Sequence, residues 1–118
     1  MIALPTTARI FLYSRPADMR KSFCGLSGIV RSELGYEPND GSLFLFINRR
    51  GDRLKALWWD DDGLVLFYKR LEVGTFQLTH SADRPAVKID STELAMLLKG
   101  IDIRSARRRK RLQAQDRD

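Results

Sequence analysis

The sequence predicts an α+β fold: one small domain on a mostly antiparallel β-meander sheet of about five strands, with one main helix and a short C-terminal helix. Three observations predict it. Short apolar runs between residues 43 and 79 are separated by Gly-, Asp- and Asn-containing turns, too short to join parallel strands. Apolar residues recur at helical spacing over about 19–34, and a capping-box pattern opens a second helix at about 91–99. Finally, 118 residues are enough for one modest core and too few for two.

Ala8–Tyr13 (ARIFLY) reads as the first strand, and Pro16 disfavours helix at Arg15. Asp18 is placed to cap a helix whose apolar stripe is Met19, Phe23, Leu26, Val30 and Leu34. Gly35 ends it as a left-handed cap, with Pro38 beyond. Gly25 and Gly28 each cost a helix about 1 kcal/mol relative to Ala. Their spacing on nearly one face predicts close approach of the helix to the sheet.

Leu43–Ile47 (LFLFI) is a continuous apolar strand, joined by a loop over 48–53 around Gly51 to a partner strand at 54–59. The turn Asp60-Asp61-Asp62-Gly63 leads into a strand at 64–69, and Glu72-Val73-Gly74 into another at 75–79. Asp90 followed by Glu93 caps the last helix, which Gly100 stops. With Trp59 opposite Leu64 and Asn48 opposite Arg53, one face collects Leu43, Leu45, Ile47, Leu54, Ala56, Trp58, Val65 and Phe67. The other collects Phe44, Phe46, Leu57, Trp59, Leu64 and Leu66, with Lys55 and Tyr68 at its end; a one-residue slip would exchange the sets. Both faces are apolar, so each needs a cover. The first helix is expected on one, the second on part of the other, and a partner on what remains.

Hydrophobic content of 43% with 31% charged residues is that of a soluble globular protein. No apolar run approaches a membrane span, and no signal pattern opens the chain. A single Cys precludes an intramolecular disulfide and suits a reducing cytoplasm; one Cys and one His cannot build a structural zinc site. The expectation is a cytoplasmic protein without metal, cofactor or membrane contact. Residues 1–103 hold 14 Lys/Arg against 13 Asp/Glu, a net of +1, whereas residues 104–118 hold 7 against 2, a net of +5. The excess of positive charge is therefore a property of a basic, flexible tail, where Arg104, Arg107, Arg108, Arg109, Lys110 and Arg111 form a ready phosphate ligand.

Catalytic patterns are weak. Asp60, Asp61 and Asp62 form the one carboxylate cluster, but consecutive turn residues splay outward instead of converging on paired ions. His80 has no acid or nucleophile partner, and Cys24 reads as a packing residue in a helix. The reading is that the chain is not an enzyme.

Longer motifs carry a resemblance. Pro16-Ala17-Asp18-Met19-Arg20-Lys21 followed by Phe23, Gly25 and Leu26, then Arg50-Gly51-Asp52-Arg53-Leu54-Lys55 leading into Leu57-Trp58-Trp59-Asp60, Asp62-Gly63 and Leu66–Glu72, and finally Leu94–Leu98 with Gly100-Ile101-Asp102, run almost end to end. Over about residues 1–103 the chain resembles TnpB, the Orf2-like accessory proteins of bacterial insertion sequences in the group numbered sixty-six. Two departures are Cys24, where many members carry Asp, and Thr79-His80, which replaces a usual proline.

The resemblance implies a non-catalytic accessory protein of DNA transposition, with the element-encoded transposase, a second accessory protein and DNA at element ends as partners. DNA contact would be largely non-specific, through the tail and through Arg20, Lys21, Arg49, Arg50 and Arg53. Trp58, Trp59, Phe67, Tyr68, Lys69 and Arg70 form the candidate protein interface, for the transposase or for a homo-oligomer formed through the aromatic sheet face. A small metal-dependent nuclease subunit using Asp60 and Asp62, or a regulator acting on RNA or DNA through its basic tail, are the alternatives.

Overall fold

Register in this protein is pinned by its tightest turn. In the computed structural model, which describes residues 8–76 and 83–99, Asp60 pairs with Gly63 across the two-residue turn Asp61-Asp62, and Asp61 takes a left-handed backbone at φ 57°. Asp is among the few non-glycine residues that adopt this region readily. The turn joins β3 (Arg53–Asp60) to β4 (Gly63–Arg70), and Trp59 falls opposite Leu64 as the alternation predicts. Antiparallel to the other side of β3 runs β2 (Leu43–Ile47), buried along its whole length.

The sheet has five strands in the order β4-β3-β2-β1-β5, where β1 is Ile10–Tyr13 and β5 is Ala86–Ile89. It is α+β and mostly antiparallel, as expected, with two departures from a simple meander. β1 runs parallel to β2, because the helix between them carries the chain back to the starting edge. The fifth strand is also a different segment. Thr75 and Phe76 are not in a strand, and residues 77–79 of that expectation lie outside the described residues. Instead Ala86–Ile89 pairs antiparallel with β1, Leu12 opposite Val87. Its Val87-Lys88-Ile89 alternation, between Pro85 and the Asp90 cap, is the sequence signal for it.

The main helix begins later than its apolar stripe suggests. α1 spans Phe23–Ile29 and continues as a wider π turn over Val30–Leu34, closed by Gly35 at φ 73°. Asp18 does not cap it. The Asp18 carboxylate binds the Arg20 backbone N–H at 2.9 Å and the Arg20 guanidinium at 2.8 Å. The carbonyls of Met19 and Lys21 accept from Lys55 Nζ at 2.9 and 2.7 Å, so they are drawn away from helical pairing. The first helical bond is Leu26 N–H to Ser22 C=O. Gly25 and Gly28 also face away from the sheet: a Cβ on Gly28 would meet nothing within 4 Å, and one on Gly25 would meet the Lys21 side chain.

Each sheet face packs under one helix. Leu26, Ile29 and Val30 cover Phe11, Phe44, Phe46 and Leu57. On the opposite face α2 (Ser91–Leu98) sets Leu94 and Leu97 on Ile10, Leu12, Leu43, Leu45, Ile47, Leu54 and Trp58. Burying each such side chain contributes about 1.5–3 kcal/mol. The start of α2 carries the expected capping box, with Asp90 accepting from Glu93 N–H at 2.7 Å and Glu93 accepting from Asp90 N–H at 3.1 Å. Gly100 lies outside the described residues.

Candidate functional site

Adjacent residues on a strand face opposite ways, and the Trp58-Trp59 pair separates accordingly. Trp58 is 5% exposed in the core beneath α2, and Phe67 packs partly buried on the same core. Neither presents a free ring, so both leave the set of surface anchors. Trp59 is 37% and Tyr68 48% exposed. They lie on the other face, Trp59 on β3 beside Leu64 and Tyr68 on edge strand β4, in a strip that half-buried Leu64 and Leu66 complete. Trp59 Nε1 donates to the Asp61 carbonyl at 3.0 Å, which fixes the ring against its own turn.

The basic residues beside this strip divide into engaged and free. Lys55 is only 5% exposed. Its ammonium satisfies the Met19 and Lys21 carbonyls and lies 4.6 Å from the Tyr68 ring centroid, an attractive cation–π arrangement. Arg53 donates to Tyr68 Oη at 3.0 Å, and Arg70 lies 3.6 Å from Glu72. Arg20 is held by Asp18, whose carboxyl is pulled down to about 2 by the Arg20 side-chain and backbone hydrogen bonds. Lys69, Arg49 and Arg50 are exposed and make no ion pair among the described residues. Lys21, also exposed, lies along a groove of about 550 Å³ that Gly25, Gly28, Tyr13 and Glu33 help to form.

Tyr13 and Glu33 are residues that sequence reasoning did not single out. Tyr13 Oη donates to Glu33 Oε1 at 2.8 Å, and Arg15 Nη1 reaches the same oxygen at 3.3 Å. Burial, reinforced by the Glu33 carboxylate, pushes the Tyr13 hydroxyl up to about 12. Nothing in the spacing of Tyr13 and Glu33 reveals that pairing, because it is made between a strand end and the π turn.

Asp60, Asp61 and Asp62 are all exposed on the tight turn. Among the described residues no group of three or more His, Cys, Asp or Glu side chains is placed to hold a metal ion. No helix among them is long and apolar enough to cross a membrane. Arg104, Arg107, Arg108, Arg109, Lys110, Arg111 and His80 lie outside the described residues.

The profile of the family described as IS66 Orf2 like protein matches residues 8–108, which include every element of the sheet. The chain belongs to that family. Two proteins of Sinorhizobium fredii (strain NBRC 101917 / NGR234) are similar along nearly their whole length. The one described as uncharacterized protein y4hO is 38% identical over 104 residues, covering 88% of this chain and 90% of that protein. The one described as uncharacterized protein y4jC is 34% identical over 102 residues, covering 86% of each. No solved structure matches the chain. Membership makes this an insertion-sequence accessory protein.

Proposed function

We propose that the chain is a non-catalytic accessory subunit of bacterial DNA transposition that docks the element-encoded transposase on its Trp59–Tyr68 strip. The observation that carries this reading is the exposure of two aromatic rings on a sheet margin that α1 leaves uncovered, in a chain of an insertion-sequence family. Large aromatics in such a position are typical interface anchors, and the half-buried Leu64 and Leu66 beside them favour an apolar partner surface. The tail, Arg104 to Arg111, supplies non-specific phosphate contacts in the bacterial cytoplasm.

Co-purification of the full chain with its transposase is the direct measurement. Trp59→Ala with Tyr68→Ala should weaken the complex by more than about 1 kcal/mol while the domain stays folded. An unchanged affinity would remove the strip from the interface. Purified protein that cleaves DNA with a divalent metal, and loses that activity on Asp60→Asn with Asp62→Asn, would replace this reading with the nuclease one.

A further inference from the structure

The parallel pairing of β1 with β2 sets the C-terminal ends of these strands side by side. Ala17 N–H donates to the Ile47 carbonyl at 2.8 Å and locks the segment after β1 against the end of β2. Arg15 from one strand end and Arg49 and Arg50 from the other therefore line a single concavity of about 210 Å³.

The loop bearing Arg49 and Arg50 is held in place from several sides. Asn48 N–H donates to the Arg53 carbonyl at 3.1 Å, Gly51 N–H to the Asn48 carbonyl at 3.0 Å, and Phe76 N–H to the Gly51 carbonyl at 2.7 Å. The Asn48 side chain donates to Asp52 at 2.8 Å and accepts from Arg53 N–H at 3.0 Å. Gly51 sits at φ 77°, and a Cβ there would come within 3.3 Å of the Thr75 side chain. None of these bonds uses the Arg49 or Arg50 guanidinium.

Among the described residues no carboxylate lines the concavity. Glu33, which touches Arg15, is shared with the Tyr13 hydroxyl, and Asp52 is taken by Asn48. Arg15 keeps further donors free, since a guanidinium carries five N–H groups. Arg15, Arg49 and Arg50 all line this one small space, and Glu33 pairs with Arg15 alone, so the charge around it stays positive. A guanidinium fork suits a bidentate oxyanion, and the two non-bridging oxygens of a phosphodiester provide one.

We propose that Arg15, Arg49 and Arg50 form a phosphodiester-binding cradle for the backbone of duplex DNA, built into the folded body independently of the basic tail. The proposal rests on the reading of the chain as a transposition accessory protein that meets DNA. It assigns a role to Arg15 and separates Arg49 and Arg50 from the neighbouring Arg53, which Tyr68 holds.

Anisotropy of a labelled DNA duplex across a salt series, with the full chain, measures the cradle directly. Arg15→Ala/Arg49→Ala/Arg50→Ala should flatten the log-affinity against log-salt slope by about 2 to 3 units, about 0.9 for each phosphate that is no longer neutralised. Its thermal midpoint should match the parent's, since all three side chains are exposed. The triple Lys replacement keeps the charge and should keep the slope with weaker affinity, which guards against a folding artefact in the Ala variant. A folded Ala variant with the parent's slope overturns the cradle, and so does a parent chain that binds no duplex. Inorganic pyrophosphate that raises the melting temperature of a chain indifferent to duplex would overturn it in favour of a small-anion site. Transposition frequency after deletion of the gene decides the accessory reading separately: no change would sink that reading, while the salt slope still decides the cradle.

Discussion

Arg49-Arg50 and Arg53–Lys55 carry the same charge a few residues apart, and the fold gives them opposite fates. In the loop, both arginines line a concavity that no carboxylate among the described residues lines. Within β3, Arg53 is tied to the Tyr68 hydroxyl and Lys55 is enclosed by two carbonyls and an aromatic ring. Density of positive charge along a chain therefore says little about which charges a partner can reach. What decides is whether the neighbouring strand and the incoming loop supply acceptors.

The sharpest break in the comparison comes from the β3 interior. Trp58→Ala should cost about 3–5 kcal/mol by emptying the core beneath α2. Trp59→Ala, one residue on, should change stability by about 1 kcal/mol or less, since its ring is partly solvated and gives up a single hydrogen bond. Denaturant unfolding of both variants measures the difference; equal effects would mean that the two faces are not divided as described.

Lys55→Met comes next. It conserves most of the volume but strips the Met19 and Lys21 carbonyls of their donor, which destabilises the fold by about 3 kcal/mol. Arg50→Ala in the loop should stay within about 0.5 kcal/mol of the parent. Backbone hydrogen exchange at residues 19–22 should rise in Lys55→Met and not in Arg50→Ala. Comparable unfolding curves for the two would erase the distinction between engaged and free cations.

The smallest effect belongs to Asp18. Its folded carboxyl lies at about 2 against an ordinary 3.8, so the stability it contributes is fully present above 3.8 and is lost as pH falls through about 2. The pair is exposed and screened by salt, which keeps the contribution small. Thermal midpoints measured down through this range should fall more for the parent than for Asp18→Asn, and the gap should close at high salt. A gap that persists at high salt would show that Asp18 acts through backbone geometry instead.

Much of the architecture was legible because it rests on local rules. Period-two alternation and a two-residue turn define a register, and the two predicted face sets divide between the two cores as the alternation requires. The capping box at Asp90 and the left-handed Gly35 are equally local, each needing only a few neighbouring residues. The family motifs were legible for the same reason, as ordered residues in one chain.

Tertiary structure alone decided the rest. The start of α1 moved from Asp18 to Ser22 because a lysine more than thirty residues away claims the intervening carbonyls. Gly25 and Gly28 turned outward because the helix buries Leu26, Ile29 and Val30 instead. The Arg15–Arg49–Arg50 cradle exists only because β1 and β2 run parallel and end at one edge. Alternation and capping are set by bonds between near neighbours, whereas the freedom of a charge depends on acceptors that distant segments bring to it. Sequence by itself determined most of the strands, the faces and the family; which cations remain available to a partner was decided when the sheet assembled.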